Sequence, residues 1–201
     1  MSKFINKSEE TNYNAKKKYG QNFLEDNNLL LEIIESASLT DETEVIEIGP
    51  GLGFLTDILI KKSKKITAFE IDKGLIPILT KKFGDNDNFE LINEDFLAYD
   101  LNKIVEGKKN IKVVANIPYY ITSPIISRLL EFRSNISEIY LMVQKEVAER
   151  IASKPNSKNM SILTHSVQFF AEAEYLFTVK KEMFTPVPKV DSAFLKIKVL
   201  N

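Results

Sequence analysis

The segment from Glu47 to Phe54 reads EIGPGLGF and holds three of the chain's seven glycines within five residues. Its first two residues close the apolar run EVIEI (44–48). Glycine in that place lets the backbone turn sharply and lets a ligand approach with no Cβ in the way. A plain strand–helix turn needs only one. Gly49, Gly51 and Gly53 follow a G-x-G-x-G spacing, whereas a dinucleotide fingerprint needs its last glycine one position later, where Phe54 stands. The Gly-Lys-Ser/Thr of a phosphate loop is absent. The spacing therefore favours a nucleoside ligand without a pyrophosphate.

Two acids and one amide complete the set. Glu70 arrives roughly 20 residues after Gly49, where nucleotide-binding α/β folds place the acid that grips a ribose diol. Its carboxylate can accept from both hydroxyls. Asp95, in NEDF with Phe96 beside it, is placed to accept from an adenine amine. A lone acid at a strand end is also a common helix cap, so each acid gains meaning only from the glycine loop. Asn116 opens Asn-Ile-Pro-Tyr-Tyr, in which Pro118 fixes its own φ and biases Ile117 towards extended backbone. That turn holds an amide and the Tyr119 ring at the carboxyl edge of a strand, where ligands bind in open α/β folds. The adenine amine is a poor nucleophile because its lone pair is delocalised into the ring. The Asn116 side-chain oxygen and the Ile117 carbonyl can accept its two N–H bonds and favour a tetrahedral nitrogen. Tyr119 can stack on the base, a contact worth about 1–3 kcal/mol. The alternative is a β-turn with a buried tyrosine.

These groups need a scaffold that brings strand ends together. The runs 44–48, 65–71, 88–92, 111–117 and 138–144 read as strands, and 54–62, 74–83 and 123–132 carry apolar residues at helical spacing. Strand alternating with helix predicts a parallel sheet with crossover helices on its faces. EVAERIAS and MSILTHSVQFFA continue as helices. AEYLFTVK and SAFLKIKVL are expected to close one edge as an antiparallel pair. KPNSKN (154–159) reads as a polar loop within one doubly wound domain spanning 1–201.

Composition narrows the chemistry. The chain has 201 residues, 44 % of them apolar and 27 % charged, which is ordinary for a globular domain. It has no cysteine, which excludes disulfides, cysteine zinc sites and thiol nucleophiles. With one histidine, no metal-ligand constellation is visible. His165 lies far from every motif and reads as a packed or surface residue. The first 18 residues lack an apolar core of the signal-peptide kind, and no run approaches a membrane span, so a cytoplasmic chain is expected. Net charge is −1, less basic than most free-standing nucleic-acid binders. Lysines do cluster at 16–18, 61–65, 81–82 and 108–109, either as solvated helix ends or as a phosphate-contacting face.

Asn-Ile-Pro-Tyr resembles the Asn/Asp-Pro-Pro-Tyr-type element of amino-methyltransferases. KKKYGQNFL (16–24), QKEVAERI (144–151) and FTPVPKVDSA (184–193) resemble the ribosomal RNA adenine N6,N6-dimethyltransferases of the kasugamycin-sensitivity type. The likeness runs from about Lys16 to Val199. It implies a Rossmann-like class I S-adenosylmethionine-dependent methyltransferase fold, with a mostly parallel seven-stranded sheet. By position it implies cofactor contacts at Gln21, Asn22 and Leu24, with Asn22 and Leu24 closing over the cofactor. Glu47, Gly49, Gly51 and Gly53 would form its loop, Gly49 lying against the amino-acid moiety. Glu70 would bind the ribose with Ile71 next to it, and Asp95 the cofactor adenine with Phe96 next to it. Asn116, Ile117, Pro118, Tyr119 and Phe184 would be catalytic, Asn116 reaching the cofactor too and Tyr119 and Phe184 sandwiching a flipped adenine. The implied substrate is a pair of adjacent adenines in a 3′-terminal loop of small-subunit rRNA within an assembling subunit, the chain acting as a monomer without a metal. The family's small helical C-terminal domain follows the Val-Asp-Ser-Ala strand and is expected to be absent from this chain, which stops at Asn201, and residues 1–20 are expected to form a flexible arm. Two rivals stand beside this reading: the macrolide-resistance enzymes that modify large-subunit rRNA, and a non-catalytic assembly or transcription factor of the same fold.

Overall fold

Alternation along the strands divides the apolar side chains between two cores. In β2 (Glu44–Ile48), Val45 points to one face and Ile46 and Ile48 to the other. β5 (Ile111–Asn116) sends Val114 to the first face and Val113 and Ala115 to the second. β6 (Ile136–Gln144) repeats the division with Tyr140 and Met142 against Ile139, Leu141 and Val143. A strand buried on both faces must read as a near-continuous apolar run, which is how these three read. Each fully buried aliphatic side chain contributes about 1.5–3 kcal/mol.

The computed structural model describes residues 13–154 and 161–200. The remaining elements are β1 (Phe23–Leu24), α1 (Asn27–Ala37), α2 (Phe54–Lys62), β3 (Lys65–Phe69), α3 (Ile76–Phe83), β4 (Phe89–Ile92) and α4 (Asn102–Val105). After them come α5 (Thr122–Glu131), α6 (Lys145–Ile151), α7 (Ile162–Phe170), β7 (Ala171–Val179), β8 (Phe184–Thr185) and β9 (Ser192–Val199). The main sheet has seven strands in the order β4-β3-β2-β5-β6-β9-β7. The first five are parallel, and β9 lies antiparallel between β6 and β7. This is the α/β architecture expected, including the antiparallel edge. The helices expected at 74–83 and 123–132 begin at Ile76 and Thr122. Most of the KPNSKN loop and Met160 fall outside the described residues.

The sheet changes direction between β2 and β5. From β2 the chain winds outward through β3 and β4; from β5 it winds the other way through β6. Crossovers that diverge from adjacent strands leave a crevice at their carboxyl ends. A separate two-stranded sheet, β1 with β8, sits over it, with Leu24 opposite Phe184. Neither of those strands is evident from periodicity, since two residues carry none. Helix α1 is likewise an addition to the elements expected from sequence. It is capped by Asp26, whose side chain accepts from Leu29 N at 2.9 Å, and it buries Leu29, Leu30, Ile33, Ile34 and Ala37.

Candidate active site

The crevice holds a cavity of about 240 Å³. Its walls come from the segment 19–24, the glycine loop, the ends of β3, β4 and β5, and Phe184. Of the residues expected to form a site, Gln21, Asn22, Leu24, Glu47, Gly49, Gly51, Glu70, Ile71, Asp95, Phe96, Asn116, Ile117, Pro118, Tyr119 and Phe184 all line it. Gly53 does not. It sits at the N-cap of α2 with φ 83°, and a Cβ there would run into the Phe83 ring. The third glycine of the motif therefore serves helix entry and packing against α3. Gly51 serves the cavity: its φ is 59°, and a Cβ would stand 3.0 Å from the Phe23 ring that covers it.

The acids are held differently. Glu70 is 4 % exposed and accepts from Asp72 N at 2.8 Å and from Gly51 N at 3.2 Å. Burial pushes its carboxyl up to about 7 against the pull of those N–H bonds. Glu47 is buried at the cavity wall, where the Thr56 hydroxyl donates to it at 2.8 Å. Burial carries Glu47 up to about 8, so at neutral pH it is mostly a protonated group that can itself donate. Asp95 is exposed, and one of its oxygens accepts from Leu97 N at 2.9 Å. The capping alternative thus describes one oxygen, and the residue still lines the cavity.

At the end of β5 the Asn116 side-chain nitrogen donates to the Asn22 carbonyl at 3.1 Å. With its nitrogen committed there, the amide presents Oδ1 as its acceptor. Tyr119 is half-buried and its hydroxyl meets Ser192 Oγ at 2.8 Å, which ties the ring to the start of β9. Phe184 is only 2 % exposed and packs with Leu24, Tyr140 and Phe194, so it forms an enclosed wall rather than an open stacking face. Sequence reasoning misses Thr56 and Ser192, which steady Glu47 and Tyr119, and Asp72, which binds the segment expected to be a flexible arm. The arm up to Asn12 lies outside the described residues; from Tyr13 onward it is bonded to the domain through Tyr13, Lys16 and Gln21.

His165 is exposed on α7 and is not among the cavity residues. Among the described residues, no group of three or more His, Cys, Asp or Glu side chains could hold a metal ion. No helix of the described residues is long and apolar enough to cross a membrane.

Residues 12–200 match the family described as ribosomal RNA adenine dimethylase. The chain belongs to that family. It is 51 % identical over 187 residues to the ribosomal RNA small subunit methyltransferase A of Fusobacterium nucleatum, covering 92 % of this chain and 70 % of the relative. The protein of the same name from Lactococcus lactis is 49 % identical over 189 residues, covering 92 % of this chain and 64 % of the relative. The chain thus spans about two thirds of the length of such relatives. Among solved structures, the 23S rRNA methyltransferase ErmE superposes with a TM-score of 0.79 at 33 % identity, over 89 % of this chain and 70 % of that one. A dimethyladenosine transferase from Plasmodium falciparum gives the same score and identity, over 89 % of this chain and 63 % of that one. The family's fold is the class I S-adenosylmethionine-dependent methyltransferase fold, and the strand order fits it.

Proposed function

We propose that the chain transfers methyl groups from S-adenosylmethionine to the N6 amines of two adjacent adenines in a 3′-terminal loop of small-subunit rRNA, in the cytoplasm, during subunit assembly. The observation that carries this reading is the Asn116 amide, which lines the same cavity as Glu70 and the glycine loop and whose nitrogen is committed to the Asn22 carbonyl, leaving Oδ1 as an acceptor. The pocket suits a nucleoside ligand: Gly51 leaves room for close backbone approach, and Glu70 offers a buried carboxyl to a ribose.

Bound S-adenosylmethionine supplies an electrophilic methyl group on a sulfonium. The chain supplies orientation and polarisation. Asn116 Oδ1 and the Ile117 carbonyl accept the two N–H bonds of the target amine, so that its lone pair turns towards the methyl. Tyr119, steadied by Ser192, stacks on one face of the base while Phe184 closes the other side. Positioning reactants in line accounts for the rate, with no covalent intermediate on the protein. No general base is required, because the methylated ammonium is acidic enough to give its proton to water. Neither a metal nor a second copy of the chain has a part in this scheme.

The test is methyl transfer from labelled S-adenosylmethionine to under-methylated small subunits, with bare rRNA and large subunits alongside. Dimethyladenine appearing only in small subunits is the expected result. Label in large subunits instead would favour the macrolide-resistance type, a reading to which the ErmE superposition lends some support. Cofactor binding without transfer to any of them would overturn the proposed substrate.

A further inference from the structure

Asp72 lies two residues beyond Glu70 and is 1 % exposed. Buried carboxylates persist only when their oxygens are satisfied. Lys16 Nζ donates to Oδ1 at 2.7 Å and Gly74 N at 2.9 Å. Gln21 Nε2 donates to Oδ2 at 3.0 Å, and the Tyr13 hydroxyl donates to that same oxygen. Three of these four donors belong to the segment that precedes the fold's first long helix. Burial alone would raise this carboxyl; the bonds from Lys16, Tyr13, Gly74 and Gln21 override it and hold it at about 2. The acid is therefore charged at every working pH.

What the acid grips leads directly to the reacting amide. Gln21 is also held by Lys16, whose backbone N donates to its side-chain oxygen at 2.7 Å. The next residue, Asn22, gives its carbonyl to Asn116 Nδ2. Phe23 then covers Gly51, and Leu24 pairs with Phe184. Residues 21–24 thus form a strap across the cavity, tied at both ends. The Leu24 end is a strand pair with buried apolar side chains. The Asp72 end is polar, and its Lys16 side chain is 40 % exposed, so the bond from Lys16 is the one that water can reach first. Gly74 leaves the room this grip needs, since a Cβ would stand 2.9 Å from Lys16 Nζ.

We propose that Asp72 is a positioning residue: by gripping Tyr13, Lys16 and Gln21 it holds the strap closed over the cofactor and fixes the orientation of the Asn116 amide. Cofactor exchange proceeds by release at the Asp72 end while the β1–β8 pair stays formed. The inference rests on the methyltransferase reading and adds to it a residue that touches neither substrate nor cofactor.

Asp72→Asn and the double variant Tyr13→Phe with Lys16→Met test it, with Asn116→Ala as a control. S-adenosylmethionine affinity is measured by calorimetry, its dissociation by stopped flow, methyl transfer at saturating cofactor, and folding by thermal unfolding. Both grip variants should unfold cooperatively, bind the cofactor about tenfold more weakly, since removing a bond to a charged group costs at least that, and release it correspondingly faster. Transfer at saturation should also slow, because the Asn116 amide is left without its fixed partner. A purely structural role would lower the melting temperature and leave the dissociation rate of the folded protein unchanged. If Asp72→Asn does not fold, the double variant decides, since it keeps the bonds from Gly74 and Gln21. A folded grip variant with the wild-type dissociation rate overturns the proposal. Failure of the underlying reading looks different: the wild-type chain would bind no S-adenosylmethionine, or Asn116→Ala would transfer at the wild-type rate.

Discussion

Glu70 carries a pH signature that belongs to single residues. In the free protein its carboxyl titrates at about 7 because burial opposes the charge. On the proposed reading, ribose hydroxyls would donate to the charged form and so lower that value when the cofactor binds. Binding then releases a proton, and affinity falls as pH drops through 7 towards 6. Calorimetry across pH 6–8 should show this slope, and Glu70→Gln should flatten it at the cost of weaker binding throughout. The glycines give a second prediction. Gly53→Ala places a Cβ at φ 83° against Phe83, and left-handed backbone alone costs an alanine about 1–2 kcal/mol. Denaturant unfolding should register at least that decrease, with cofactor binding retained in the folded fraction. Gly51→Ala should instead weaken cofactor binding, because its Cβ presses on the Phe23 lid. Residue types and spacing make the glycine loop, Glu70 and Asn116 legible in the sequence. They cannot separate Gly53 from its neighbours, because Phe83 lies on another helix. Nor can they mark Asp72, whose importance comes from burial and from partners more than 50 positions earlier.

At the level of elements, an ion cluster fastens the sheet at its other end. Glu138 of β6 meets Lys112 of β5 at 2.8 Å and Lys196 of β9 at 3.0 Å, while Lys112 also donates to the Ala37 carbonyl closing α1 at 2.8 Å. Burial alone would raise the Glu138 carboxyl; the bonds from Lys112, Lys196 and Tyr140 override it and hold it at about 2, against an ordinary 4.5. A depressed folded-state value contributes stability that is present above pH 4.5 and disappears as pH falls towards 2. Acid unfolding followed by circular dichroism should therefore shift with Glu138→Gln, the variant showing a shallower pH dependence over that window while the Asp72 contribution remains. The strands β2, β5 and β6 are legible because both of their faces are buried, which gives continuous apolar runs. The pair β1–β8 is not, because two-residue strands are specified by their partners across the fold rather than by any local pattern.

For the whole molecule, the lysine runs resolve into two populations. Lys61, Lys64, Lys65 and Lys108 pair with Asp57, Glu42, Glu90 and Glu44. Glu44 and Lys65 open β2 and β3, so this group clusters at the amino ends of the strands, away from the cavity. Lys17 and Lys18 sit on the turn leading into Tyr19 and Gly20, which line the cavity, and the Lys18 ammonium lies 4.4 Å from the Tyr19 ring centre. The 17–18 turn is thus a lysine run beside the cavity, and RNA phosphates are expected there. Replacing Lys17 and Lys18 by Gln should weaken RNA binding and reduce the salt slope by about 0.7–0.9 for each phosphate no longer neutralised. The same change at Lys61, Lys64 and Lys65 should leave the slope where it was. Salt titrations of binding by the three proteins check both statements.

The pairing of Leu24 with Phe184 has a consequence for how the enzyme comes into being. One wall of the cavity comes from Leu24 and its partner from Phe184, far later in the sequence, with β9, which holds Tyr119 through Ser192, later still. Pairings so distant along the chain close late, after the local helices and the early parallel strands have formed. A nascent chain still lacking β8 holds the glycine loop and Glu70 but a strap tied only at its Asp72 end. Cofactor retention therefore waits until β8 and β9 have been made, and tight S-adenosylmethionine binding serves as a report that the fold has been completed through β9.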